Sequence, residues 1–193
     1  MRCNWETLYE NICNCNKCGL CTKRNHVVVG MGDAHADVML IGEGPGQEED
    51  RQGLPFVGNA GKLLDKMLAA IDIKRDRVYI ANVVKCRPEN NRTPNPDEAL
   101  ACLPYLREQT ALVSPKIIVC MGATAVRYVL GEDFKITRDR GKWVERNGIF
   151  IMPTYHPAAL LYDEKKKREA WADLKELRRK MTELNINIFE ETP

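Results

Sequence analysis

The stretch Asp37-Val-Met-Leu-Ile-Gly-Glu-Gly-Pro-Gly-Gln-Glu-Glu-Asp50 decides the fold. Its first half is an uninterrupted apolar run, which is typical of a strand buried on both faces. Glycines and a proline then end the strand and begin a loop. Because strands buried on both faces belong to parallel sheets covered by helices, this stretch predicts an α/β fold.

The rest of the chain repeats this alternation. Strand-like runs span 78–84, 116–121 and 149–154, and helical periodicity spans 60–71, 97–113, 123–130 and 163–183, with a short helix over 4–13. Residues 140–148 have the pattern of an extra strand and turn. We predict a three-layer α-β-α sandwich around a mainly parallel four-stranded sheet. One domain covers 1–193, with an N-terminal helix and Cys-rich segment over about 4–26 and a core over about 27–184.

Composition excludes several classes of protein. With 193 residues, 44% hydrophobic and 29% charged, the chain is neither disordered nor collagen-like. A net charge of +2 is too balanced to indicate a nucleic-acid or membrane partner, so any basic surface is local. No secretory signal or membrane span is apparent, which predicts a cytoplasmic protein, and nothing requires more than a monomer.

Eight cysteines are the one unusual feature of the composition, and an intracellular location favours reduced or metal-bound thiols over disulfides. Cys18-Gly-Leu-Cys21 is compatible with a redox dithiol, a zinc knuckle or an iron–sulfur site. Because this pair does not follow a strand, metal binding is favoured. Cys86 and Cys102 are candidates for the other two thiolates, although Cys102 also fits a buried helix face. Spacing alone does not separate zinc from a cubane cluster, and Cys120 fits the core.

The loops after the strands carry the other candidate residues, since ligands of such sheets bind beyond the carboxyl ends of the strands. The turn after the first strand contains Gly42, Gly44 and Gly46, whose spacing matches no nucleotide-binding motif. Because glycines let a backbone come close to a neighbour, this turn suits the binding of a flat ligand. Glu43 within this turn points inward or is solvated. At the ends of two other strands, Asn82 offers an amide donor and acceptor that suit a nucleobase edge, and His156 lies opposite the glycine turn.

Four motifs carry a resemblance to a known family. They are Gly42-Glu-Gly-Pro-Gly-Gln-Glu-Glu-Asp50, Pro55-Phe-Val-Gly-Asn-Ala-Gly61, Asn82-Val-Val-Lys-Cys-Arg-Pro88 and His156-Pro-Ala-Ala159. Together they resemble the family 4 uracil-DNA glycosylases, the iron–sulfur branch of that superfamily, over residues 13–180. The resemblance implies a [4Fe–4S] cluster on Cys18, Cys21, Cys86 and Cys102. Cys13 and Cys15 are then surplus.

The resemblance also implies a reaction, the release of uracil from DNA by hydrolysis of its bond to deoxyribose. The uracil base is then flipped into a pocket. Phe56 is expected to stack on the base, and Asn82 to hydrogen-bond its O4 and N3 edge. His156 is expected to donate to uracil O2, together with backbone N–H groups from Gly42 to Gly44.

One departure from other uracil glycosylases concerns the water. Many of them carry an aspartate in the first motif, at the position that Gly44 occupies here. We therefore expect Glu43 to orient the water or stabilise the cationic sugar, with Asn91 as the second candidate. Glu49 is expected to lie beside uracil C5 and exclude the methyl group of thymine.

The expected partner is uracil-containing DNA. Arg87 and Arg92 are candidate phosphate contacts. Leu160 is the expected wedge in the gap left by the flipped base, unless it begins the core face of the last helix. Two alternatives stay open. One is a uracil-DNA trap that forms a covalent adduct through a histidine, although the loop 89–94 contains no histidine. The other is a nucleic-acid-binding module that is stabilised by a metal and has no enzymatic activity.

Overall fold

A six-stranded sheet lies at the centre of the computed structural model, which describes residues 4–189. The strands are β1 (Met31–Gly32), β2 (Val38–Gly42), β3 (Tyr79–Asn82), β4 (Ile117–Met121), β5 (Val144–Arg146) and β6 (Ile149–Thr154). Their order across the sheet is β1-β3-β2-β4-β6-β5. The four central strands are mutually parallel, and the two edge strands are antiparallel to their neighbours.

The predicted α/β class and mainly parallel sheet are confirmed, but the expected number of four strands is too low. β5 falls inside the predicted extra strand over 140–148 and pairs with β6. β1 has no counterpart in the prediction because its two residues are too few for any periodicity. It forms by pairing Met31 with Ile80 at the edge of the sheet.

Alternating side chains of β2 enter two separate cores. Val38 and Leu40 pack on one face of the sheet, and Met39 and Ile41 pack on the other. All five residues of β2 are buried, and each large apolar side chain contributes about 1.5–3 kcal/mol on burial. This two-sided burial explains why the strand reads as one continuous apolar run.

Helices cover both faces, as the three-layer prediction requires. They are α1 (Trp5–Cys13), α2 (Gln47–Gln52), α3 (Asn59–Ala69), α4 (Pro96–Val113), α5 (Ala123–Leu130), α6 (Ile136–Asp139) and α7 (Glu164–Glu183). Buried residues of α1, α4 and α5 belong to one core, and those of α3 and α7 belong to the other. None of the helices between residues 4 and 189 is both long and apolar enough to cross a membrane.

Two pairs of strand ends that matter for function are aligned by the register. Gly42 at the end of β2 lies opposite Asn82 at the end of β3, and Met121 of β4 lies opposite Thr154 of β6. The loops that follow all four central strands therefore leave from one edge of the sheet, where this fold class binds its ligands.

Candidate active site

A cavity of about 560 Å³ opens at this edge of the sheet. It is lined by side chains and backbone from the loops after β2, β3, β4 and β6. Among the predicted site residues, those that line it are Glu43, Gly44, Glu49, Phe56, Asn82, Asn91, Arg92 and His156. These predicted residues therefore lie around one cavity, although they are up to 113 residues apart in the chain.

Asn82 carries an unused hydrogen-bond acceptor at the base of the cavity. Its side chain is 2% exposed, and its Oδ1 is the one buried side-chain polar atom of residues 4–189 without a partner. Buried polar atoms are almost always paired, so an orphan facing a cavity points to a ligand. A Cβ at Gly42 would lie 2.4 Å from this Oδ1 and 2.7 Å from the Phe56 ring. Glycine at position 42 therefore lets both the amide and the ring lie against its backbone.

Phe56 and His156 form one wall of the cavity. Their ring centroids are 5.4 Å apart, with an angle of 31° between the planes. Phe56 has a φ of 51°, a left-handed conformation that a bulky residue rarely adopts, so its loop must be held in place.

Glu49 holds that loop. Its Oε1 accepts hydrogen bonds from the backbone N–H groups of Val57 and Gly58, both at 2.8 Å, and its Oε2 accepts from Gly46 at 3.1 Å. The carboxylate thus joins the first turn of α2 to the segment that carries Phe56. The expected position of Glu49 beside uracil C5 stays a prediction. Its hydrogen bonds to Val57 and Gly58 also orient the loop that carries Phe56.

His156 is set up as a neutral donor. The backbone N–H of Ala158 donates to its Nδ1 at 3.2 Å, so the proton of a neutral ring resides on Nε2. Desolvation lowers the pKa of His156 to about 4, and the nearby Glu49 only partly opposes this shift. At neutral pH the ring therefore presents an Nε2–H donor without a positive charge.

This state of His156 gives a direct prediction. In a pH titration followed by NMR of the ring carbons, we expect His156 to remain neutral, with its proton on Nε2, from pH 8 down to pH 5.5, because its pKa lies near 4. A titration midpoint for His156 above pH 6 would contradict the prediction.

Glu43 is held by a residue that sequence reasoning missed. The Thr124 hydroxyl, in the first turn of α5, donates a hydrogen bond to Glu43 Oε2. Thr124 is 7% exposed, and its neighbours Met121, Gly122 and Ala123 line the cavity. The available signal was the sequence Gly122-Ala-Thr124 at the end of β4, the one central strand whose loop was not considered.

Gly44 leaves little space for a side chain. A Cβ there would lie 2.6 Å from Val84 Cγ2. Asn91, the other candidate for holding water, lines the cavity in a left-handed conformation with φ of 55°. Its Oδ1 accepts a hydrogen bond from Arg87 Nε at 2.7 Å, which leaves its amide nitrogen as the available donor.

The DNA-facing predictions have mixed outcomes. Arg92 lines the cavity but forms a bidentate ion pair with Glu98, at 2.6 and 2.8 Å.

The wedge prediction for Leu160 needs correction: Leu160 is 2% exposed and packs in the core with α7. Leu160 is buried, as in the alternative considered above, but it belongs to a short 3-10 turn over Pro157–Leu160 and not to α7, which begins at Glu164. Tyr162, 94% exposed, is the large side chain that this segment presents to solvent.

A second cavity, with largely apolar walls, gathers five thiols. These are Cys15, Cys18, Cys21, Cys86 and Cys102, and all are free. Burial raises the pKa of Cys86 and raises that of Cys102 to about 11, so both thiols keep their protons at neutral pH. A metal that binds to the two sulfur atoms displaces these protons. Arg24 donates to Cys86 Sγ at 3.3 Å. Soft sulfur donors are the ligands that an iron–sulfur cluster or zinc prefers, although no three His, Cys, Asp or Glu side chains of residues 4–189 lie together as they would around a single metal ion.

Five thiols are one more than either metal group requires. Cys15, expected to be surplus, interacts electrostatically with Cys86, Cys102 and Cys18. Cys21, the predicted ligand, interacts with Cys18 and Arg24. Cys15 therefore interacts with both of the thiols that are distant in the chain, which the sequence did not suggest. Cys120 is fully buried in β4, as predicted, and Cys3 lies outside the described residues.

Comparisons with known proteins agree with this arrangement. Residues 29–175 match the model of the uracil DNA glycosylase superfamily. A type-4 uracil-DNA glycosylase of Sulfurisphaera tokodaii is 45% identical over 182 residues, covering 90% of this chain and 83% of that protein. A type-4 uracil-DNA glycosylase of Thermotoga maritima is 45% identical over 158 residues, covering 81% and 82%.

A solved structure, that of SMUG2 from Pedobacter heparinus, shares the fold. Its TM-score is 0.51 at 11% identity, covering 78% of this chain and 76% of that one. The family match and the close relatives both span most of the sequence. The chain therefore belongs to the uracil DNA glycosylase superfamily, and within it to the type-4 uracil-DNA glycosylases.

Proposed function

We propose that this protein excises uracil from DNA as a monofunctional glycosylase in base excision repair, hydrolysing the bond between uracil N1 and deoxyribose C1′. The observation that carries the proposal is the unpaired Oδ1 of Asn82 in the cavity. A flipped uracil supplies the missing donor from N3–H, and its O4 accepts from the amide nitrogen of Asn82. Cytosine has an acceptor at N3 and an amine at C4, so the same amide rejects it.

Bond cleavage requires stabilisation of the leaving base. As the N1–C1′ bond breaks, its electron pair goes to uracil, and negative charge develops on O2 and O4. The Nε2–H of His156 is a neutral donor for O2, and α3 and α5 begin at residues next to the cavity lining, where their N-termini favour negative charge. Phe56 fixes the plane of the base.

Water completes the reaction at C1′. We propose that the Glu43 carboxylate, oriented by Thr124, stabilises the cationic sugar and accepts a proton from the attacking water. The water oxygen forms the new bond to C1′ as the N1–C1′ bond breaks. The uracil anion takes up a proton at N1 from solvent, and Glu43 releases to solvent the proton that it accepted. We assign to Asn91, which lines the same cavity, a hydrogen bond from its amide nitrogen to this water.

We propose that a single copy of the chain binds uracil-containing DNA at the mouth of this cavity. We assign phosphate contacts to Arg92, which lines the cavity, and to Arg87, which is bonded to the cavity-lining Asn91. Arg92 is also bonded to Glu98. In place of Leu160, we propose Tyr162 as the aromatic side chain that contacts bases beside the flipped nucleotide.

We also propose that the five-thiol cavity holds a [4Fe–4S] cluster. The reaction has no net redox change, so the group's contribution is to fix the Cys-rich segment against the end of β3 and against α4. The contacts of Cys15 favour Cys15, Cys18, Cys86 and Cys102 as the ligands, in place of the set that includes Cys21. A cytoplasmic location, where thiols remain reduced, suits such a site.

Two single variants separate these ligand sets. We expect Cys15→Ser to lose most of the iron and acid-labile sulfide per protein, because one of four ligands is removed. We expect Cys21→Ser to retain both, with an unchanged absorbance near 400 nm. The opposite result would restore Cys21 as the ligand, and equal retention in both variants would show that the two cysteines substitute for each other. Zinc without sulfide in the wild-type protein would contradict the cluster.

An assay of uracil release from a single-stranded oligonucleotide tests the proposed function. Free uracil with multiple turnovers supports it. A protein–DNA adduct without turnover would indicate the covalent trap, and binding without release would indicate the inactive module. A wild-type preparation with full iron content that releases no uracil from single- or double-stranded DNA would overturn the proposal.

A further inference from the structure

Lys85 is a buried lysine that the proposed reaction does not use. It is 1% exposed and lies in the loop between Asn82 and Cys86. Its Nζ donates to the backbone carbonyl of Asn82 at 2.8 Å and to Gln109 Oε1 at 2.5 Å. The ammonium group therefore holds the carbonyl of the residue whose side chain faces the flipped base.

The other partner of this ammonium is itself fixed. Gln109 lies on α4 and is 0% exposed. Its Nε2 donates to the carbonyl of Val29 at 2.8 Å and to the Tyr79 hydroxyl at 3.0 Å. Lys85 is thus bonded to a side chain that is also held by Val29 and Tyr79. Through Lys85 and Gln109, the end of β3 is connected to α4.

Lys85 also contacts the cysteine cavity. It lines that cavity, its backbone N–H is hydrogen-bonded to the Cys102 side chain, and its own side chain interacts electrostatically with Cys86 and Cys102. No carboxylate pairs with Lys85 within residues 4–189. The hydrogen bonds of its Nζ to the Asn82 carbonyl and to Gln109 Oε1 are therefore its strong polar contacts.

We propose that Lys85 is a positioning residue for Asn82, which fixes the base-reading amide to the wall of the cysteine cavity. The inference rests on the proposed function, since it concerns the site where uracil binds. The inference predicts that the ammonium group of Lys85 contributes to base recognition, whereas its backbone N–H contributes to the cysteine cavity. A variant that lacks the ammonium group but keeps the backbone N–H separates these two roles.

The variant Lys85→Met keeps the length of the side chain and the backbone N–H to Cys102. We expect inhibition by free uracil to weaken about tenfold, because displacements of about 1 Å cost up to about 100-fold in such sites. Inhibition by an oligonucleotide with a tetrahydrofuran abasic site, which has no base for Asn82 to bind, should be unchanged. Iron and acid-labile sulfide per protein should equal those of the wild type.

Lys180→Met is the matched control. Lys180 is another lysine with little exposure, 8%, but it lies on α7, where it contacts Glu183 and the Phe150 ring. This variant should leave both kinds of inhibition unchanged. Unchanged uracil inhibition in Lys85→Met would overturn the inference, and so would a joint loss of both kinds of inhibition or of iron. A wild-type protein that neither releases uracil nor is inhibited by it would instead overturn the proposed function.

A second pair of variants covers the case in which Lys85→Met yields no soluble protein. Gln109→Glu keeps an oxygen acceptor for Lys85, and Gln109→Leu removes it. Both lose the bonds from Nε2 to Val29 and Tyr79. We expect weakened uracil inhibition in Gln109→Leu and near wild-type inhibition in Gln109→Glu. Equal inhibition constants in the two variants would contradict a positioning role for Lys85.

Discussion

Replacing Asn82 by alanine is expected to lower the single-turnover rate of uracil excision by about 10²- to 10³-fold, the usual effect of losing one donor to a developing anion. The loss arises because the variant removes both the acceptor for N3–H and the donor to O4, which carries charge as uracil leaves. The measurement is the cleavage of a uracil-containing oligonucleotide with protein in excess.

Folding must be separated from recognition in this experiment. Asn82→Ala should keep the wild-type iron content, since its side chain does not contact the cysteine cavity. The same substitution at Asn11, an exposed residue of α1, should change nothing. If Asn82→Ala excised uracil at nearly the wild-type rate, the orphaned oxygen would have another explanation and the proposed base recognition would fail.

The second large effect is expected at Glu43. Glu43→Gln should slow single-turnover excision by about 10²- to 10⁴-fold, the range for removing a group that accepts a proton or stabilises charge in the transition state. Glutamine retains the volume and the bond from Thr124 but has no negative charge. Thr124→Val keeps the charge of Glu43 and loses only its orientation, so a smaller decrease is expected.

Asn91→Ala is the comparison that could reverse this assignment. If Glu43→Gln kept nearly full cleavage while Asn91→Ala lost it, Asn91 would be the residue that holds the water. A measurement with single-stranded DNA is preferred, because it avoids the energy of opening a base pair. The three variants then differ only in their effect on the chemical step and on the orientation of water.

Much of the fold was predictable because its central strands are buried on both faces. Continuous apolar runs mark β2, β3 and β4, and the rule that ligands bind beyond their carboxyl ends led to Asn82 and His156. β1 was not predictable, since two residues at the sheet edge have no pattern of their own. α2 was not predicted either, because its sequence is typical of a loop. The helix is stabilised at its N-terminus by the hydrogen bond from the Gly46 N–H to Glu49.

The parts of the site that the sequence did not predict depend on contacts between distant segments. Thr124 reaches Glu43 across 81 positions of the chain, and no local spacing indicates such a pair. The direction of Leu160 is set by the turn of the backbone before it, which the sequence leaves open. Likewise, the choice between Cys15 and Cys21 depends on how the Cys-rich segment lies against Cys86 and Cys102.

The close approach between Gly44 and Val84 constrains how this active site can change. An aspartate at position 44, where other uracil glycosylases carry one, would place its Cβ 2.6 Å from a Val84 methyl group. Val84 must therefore become smaller or move before such an aspartate is tolerated, so the two positions are epistatic. An aspartate at position 44 would therefore have to be accompanied by an adjustment of Val84, either a rotation of its side chain or a substitution by a smaller residue.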